Sequence, residues 1–63
     1  MPRAYRWIFQ GIATEEKLLP TKQPKKAMEA LGIRPLPRLR IVAHCGNYKT
    51  WKAPLFTLTR IEQ

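Results

Sequence analysis

One cysteine in a chain of 63 residues is the tightest constraint on what it can fold into. Cys45 has no partner for an intramolecular disulfide, so nothing covalent can substitute for a core. A domain this short buries only about 60% of its unfolded surface. Its apolar residues, 44% of the chain with 10% aromatic, must therefore hold it together, and that content marks a folded domain over 1–63 and not a disordered tail. A lone thiol suits a reducing, cytoplasmic setting, or a partner that completes the core.

Charge sets the second constraint. Twelve Lys and Arg stand against four Glu, a formal net charge of +8. The chain has no Ser and no Asp, which excludes Ser-His-Asp chemistry. Paired-carboxylate chemistry could draw only on Glu15, Glu16, Glu29 and Glu62. His44 and Cys45 are adjacent, and in a strand they point to opposite faces, so they neither chelate one metal nor form a nucleophile–base pair. A nuclease built on His44, Lys49 and Glu29 would need residues that no spacing rule brings together. No enzyme, metal or cofactor is expected. No apolar run approaches the roughly 18–20 residues of a membrane span, and Gln10-Gly11 ends Trp7-Ile8-Phe9 too soon for a leader's apolar stretch.

Residues 4–13 read as a first strand, with Tyr5, Trp7 and Phe9 alternating against Arg6, Ile8 and Gln10. This aromatic stripe reads as core in preference to a base-stacking surface. Residues 14–17 form a polar break, and Leu18-Leu19-Pro20 a short extended piece. A helix is expected over 24–31. Thr21 or Gln23 precedes it, Pro24 sits in its first turn, and Ala27, Met28, Ala30 and Leu31 share one face. Gly32 suits the left-handed C′ position, Ile33 the accompanying contact with Met28, and Pro35 blocks continuation. Strands follow over 38–45, 48–53 and 55–61, the first two joined by a two-residue turn at Gly46-Asn47. The order β-α-β-β-β predicts an α+β domain, a small antiparallel sheet of three to four strands with one short helix.

A two-residue turn opposes Cys45 to Tyr48, His44 to Lys49, Val42 to Trp51 and Arg40 to Ala53. One face, the expected core side, then carries Leu39, Ile41, Ala43, Cys45, Tyr48 and Thr50, with Lys52 at its edge. The other carries Arg38, Arg40, Val42, His44, Lys49 and Trp51, a basic strip with an aromatic, as expected where a sheet meets phosphates and bases. A three-residue loop would move Trp51 to the Leu39/Ile41 side. The competing reading of the strip is an ordinary half-solvated strand.

Residues 24–41, PKKAMEALGIRPLPRLRI, resemble the helix-to-strand segment of AbrB-type swapped-hairpin transcription factors, the group of MazE-like antitoxins and SymE-like toxins. Proline opens the helix, Ala-Leu-Gly-Ile ends it, a Pro-containing turn follows, and the strand begins Arg-hydrophobic-Arg. Leu19 and Leu36 stand where members usually have Gly, and Gln23 precedes Pro24 in place of a strand. The resemblance implies a homodimer with interleaved hairpins that binds DNA, with Lys22, Lys25 and Arg34 as the nearest counterparts of its basic residues.

These features lead to one expectation: a small non-enzymatic regulator that binds nucleic acid, DNA in preference to RNA, through phosphates. Its contact residues would be Lys22, Lys25, Lys26, Arg34, Arg38, Arg40, Lys49 and Trp51. The alternative is a protein-interaction factor, an inhibitor or accessory subunit that meets an acidic protein partner. A subunit of a ribonucleoprotein particle fits charge and size equally. No membrane partner is expected.

Overall fold

The computed structural model describes residues 4–34 and 37–62. Pro35, expected to block the helix, lies outside the described residues. Five strands, β1 (Tyr5–Gln10), β2 (Thr14–Leu19), β3 (Arg40–Cys45), β4 (Tyr48–Lys52) and β5 (Thr57–Glu62), form one antiparallel sheet in the order β2-β1-β5-β4-β3. One helix, α1 (Pro24–Ala30), lies between β2 and β3 in the chain. The expected three to four strands are therefore corrected to five, and the order to β-β-α-β-β-β.

The extra strand is β2. Its sequence, Thr-Glu-Glu-Lys-Leu-Leu, has no apolar alternation, because it is a sheet edge exposed at every residue but Leu19. Edge strands of this kind carry charge that discourages pairing with other chains. β1 stops at Gln10, three residues before the expected end, because the chain reverses over Gly11–Ala13, where the Gly11 N–H donates to the Ala13 carbonyl at 3.1 Å.

The helix follows its punctuation. Gln23 is the N-cap, Pro24 occupies the first turn and Leu31 is the C-cap. Gly32 takes φ +79°, while the Gly32 and Ile33 N–H groups donate to the Glu29 and Met28 carbonyls at 3.1 and 3.0 Å. That pair of bonds is the Schellman closure. Lys17 Nζ on β2 donates to the Ala30 carbonyl at 3.3 Å, tying the edge strand to the helix C-terminus, where positive charge is favoured.

A helix of two turns is stable only when packed, and here Ala27 and Met28 are buried against Tyr5, Trp7, Trp51 and Leu58. The Trp7 and Trp51 rings stack at 5.6 Å with 24° between their planes. Trp7 Nε1 donates to the Thr21 carbonyl at 3.0 Å and Arg60 Nη1 to the Lys22 carbonyl at 2.8 Å, so two core side chains fasten the segment that leads into the helix. Among the described residues, no helix covers the other sheet face.

Truncation of Trp51 to Ala is expected to cost about 3–5 kcal/mol. A 63-residue domain has a total stability of roughly 3–9 kcal/mol, so the loss should remove at least about a third of it and lower the urea midpoint read by circular dichroism accordingly. A W51A protein with the parent's urea midpoint would contradict the placement of Trp51 in the core.

Candidate nucleic-acid interface

Register decides which cations meet. The Gly46-Asn47 turn has two residues, with Gly46 at φ +59°, and it opposes Cys45 to Tyr48 and His44 to Lys49 as expected. The register then shifts at Val42: Ile41 faces Trp51, and Arg40 faces Lys52. The expected pairs Val42–Trp51 and Arg40–Ala53 are corrected accordingly. The cause is a β-bulge, which inserts one unpaired residue and reverses the alternation beyond it. Trp51 thereby joins the Ile41 side although the turn is short. It is 6% exposed, in the core.

The expected basic strip is therefore divided. His44, Lys49 and Arg60 form one directly opposed row on the helix side of the sheet, whereas Arg40 and Lys52 oppose each other on the open side. Lys49 Nζ lies 5.4 Å from the centre of the Trp51 ring. Arg60 is 8% exposed, and its guanidinium sits 5.7 and 5.5 Å from the Tyr5 and Trp51 rings. Ring quadrupoles and the Lys22 carbonyl stabilise this buried charge in place of a carboxylate, and its Nε has no hydrogen-bond partner among the described residues.

A different cluster forms around Pro37. Three depressions of about 410, 280 and 360 Å³ all have Pro37 in their walls. The first is lined by Pro24, Lys25, Met28 and Leu39, the second by Ile33, Arg34, Pro54, Leu55 and Phe56. The third is lined by Arg38, Arg40, Lys52, Ala53 and Pro54. Among the described residues, five cations and no carboxylate line this concave surface. Its floor is apolar.

Four of the eight expected contact residues line these depressions, Lys25 the first, Arg34 the second, and Arg38 with Arg40 the third. Lys49 and Trp51 lie elsewhere, as described. Lys22 and Lys26 are exposed but line none of the three depressions. Lys52 is the residue that sequence reasoning missed, because without the bulge its parity places it at the edge of the core side. A carboxylate-free run offered one signal. Between Glu29 and Glu62 the chain has six Lys and Arg and no acid.

The acids sit apart. Glu15 and Glu16 are on β2, at the sheet edge opposite β3, and Glu16 pairs with Arg6. No carboxylate among the described residues pairs with Arg38, Arg40 or Lys52. Like charges directly opposed across an antiparallel pair destabilise it by about 0.2–1 kcal/mol. The exposed Arg40–Lys52 pair thus costs the fold a little, and no carboxylate among the described residues relieves it.

Among the described residues no group of His, Cys or Glu is placed to hold a metal, and no helix is long and apolar enough to cross a membrane. No family model, curated protein or solved structure matches the chain. The geometry alone carries the functional reading.

Replacing Lys52 by Glu should stabilise the fold by up to about 1 kcal/mol in low salt, by turning repulsion with Arg40 into attraction. The gain should shrink as salt screens it. Urea midpoints of the K52E protein at two salt concentrations check this; a K52E protein less stable than the parent in low salt would contradict it.

Proposed function

We propose that the chain is a small non-enzymatic, cytoplasmic regulator that binds nucleic acid, with its primary phosphate contacts at Arg38, Arg40 and Lys52. The observation that carries this is the Arg40–Lys52 opposition beside Arg38, around one depression, with no carboxylate to relieve it. A fold that holds like charges together at a cost is complementary to an anion. Bound phosphates neutralise the cluster, and released counterions supply the affinity. Lys25 and Arg34, in the two adjoining depressions, extend the positive surface.

Duplex DNA is favoured over a single strand. Single-strand binders stack bases on exposed aromatics, but Tyr5, Trp7 and Trp51 are buried, and Phe56, half-buried, is the one aromatic among the described residues that line the depressions. A rigid duplex needs phosphate contacts and no stacking platform. The apolar floor of the surface favours a second reading, an acidic protein segment with apolar side chains between its carboxylates.

Titration of a labelled duplex between about 50 and 200 mM salt tests the proposal. Binding should weaken steeply, and the R40A/K52A protein should lose about 1.8 from the slope of log K against log salt, two contacts at roughly 0.9 each. An unchanged slope, or binding indifferent to salt, would overturn it. Binding to polyglutamate as tight as to the duplex would move the assignment to an acidic protein partner.

A further inference from the structure

Two aliphatic side chains stand free at the end of the sheet that carries the Arg40–Lys52 pair. Ile12 is 110% exposed, as much as in an extended chain, and Leu55 is 88% exposed. Ile12 lies on the turn after β1, and Leu55 on the turn before β5, which the Ala53 N–H closes by donating to the Phe56 carbonyl at 2.9 Å. Because β1 and β5 are antiparallel neighbours with Gln10 opposite Thr57, both turns project from the same end. They also abut. The Phe9 and Phe56 rings are 4.8 Å apart, and a Cβ on Gly11 would lie 3.1 Å from the Phe9 ring and 3.5 Å from Phe56 Cβ. The two turns are braced from below, with their aliphatic tips in solvent.

The last row of the open sheet face runs Thr14, Gln10, Thr57, Lys52, Arg40 across all five strands. It sets uncharged hydrogen-bonding groups beneath Ile12, while Leu55 stands on the link between Lys52 and Thr57. We propose that Ile12 and Leu55 act as a wedge that enters the minor groove of a bound duplex and partly unstacks a base step, kinking the DNA toward its major groove. This rests on the nucleic-acid reading above and adds to it a mode of contact.

Apolar side chains gain nothing from phosphates. On a duplex their favourable surfaces are base faces and sugars, reached in the groove, and unstacking is offset by the apolar area buried together with the phosphate contacts of the neighbouring cations. An anionic membrane surface would also take aliphatic tips beside cations. Membrane-interface sites favour exposed Trp and Tyr, yet both Trp residues and Tyr5 are buried, and the exposed Tyr48 lies in the row at the opposite end of the sheet. The polar Thr14–Gln10–Thr57 row fits groove edges better than lipid.

The test is a duplex of about 30 base pairs with a central flexible TA step, end-labelled for energy transfer. The parent chain should raise transfer on binding. The I12S/L55S protein, altered only at exposed positions, should keep the salt slope, bind about tenfold more weakly and lose the transfer change. Equal transfer changes with both proteins, or none with the parent, would overturn the wedge and leave the phosphate contacts standing. Absence of any duplex binding by the parent would instead remove the nucleic-acid reading itself. Two further outcomes overturn the wedge: vesicles containing phosphatidylserine that bind the parent and not the variant, and a dimer of the parent that I12S/L55S dissociates in light scattering.

Discussion

The stack of Trp7 on Trp51 organises this small domain. The rings come from β1 and β4, two strands separated by β5, so their contact passes over Leu58 and Arg60 and draws three strands into one curved face. The helix covers the stack with Ala27 and Met28, and the indole N–H of Trp7 fastens the segment that enters the helix. With no disulfide and so little chain, this cluster is the bulk of the buried apolar surface. It also dictates where charge goes. Once Trp51 points inward, strict alternation along β4 places Lys49 on its side and Lys52 on the other.

The bulge at Val42 completes that partition. It turns Leu39 toward the core cluster and Arg40 toward Lys52. The result is a concave surface where cations outnumber acids, on a fold too small to ignore repulsion of a few tenths of a kcal/mol per pair. Other basic residues are accommodated differently. Arg60 rests against aromatic rings, Lys17 reaches a helix carbonyl, and Arg6 meets Glu16. Among the described residues, Arg38, Arg40 and Lys52 gather beside Pro37 without such compensation, and there the expectation of a polyanionic ligand is strongest.

Much of this was legible in residue order, for identifiable reasons. Proline at the start of the helix and glycine at its end act through backbone geometry, and both held with the Ile33 contact that accompanies them. The aromatic alternation of β1 and the Gly46-Asn47 turn are equally local signals. β2 was not legible, since an edge strand solvated on nearly every side chain has no apolar period to read. Neither was the bulge. It lets Leu39 and Trp51 face the core together, a tertiary outcome that no local pattern in Arg-Leu-Arg-Ile-Val announces. Its consequence was large: Arg40 changed faces, Trp51 left the interface for the core, and Lys52 entered the site. Residue order places Arg38 and Arg40 on the sheet and Lys25 and Arg34 at the helix as two separate groups; that all four line depressions bordered by Pro37 follows from how the helix packs beside the β3 entry.

The central claim is that anion binding belongs to the Pro37 surface and the adjoining sheet end. Amide chemical-shift mapping of the isotopically labelled chain during titration with duplex DNA tests it most directly. The predicted result is perturbation concentrated at the amides of residues 38–40, 52–53 and 55–57, with the amides of His44 and Lys49 unmoved. Perturbation centred on His44, Lys49 and the β3–β4 turn, or none anywhere at saturating duplex, would contradict it.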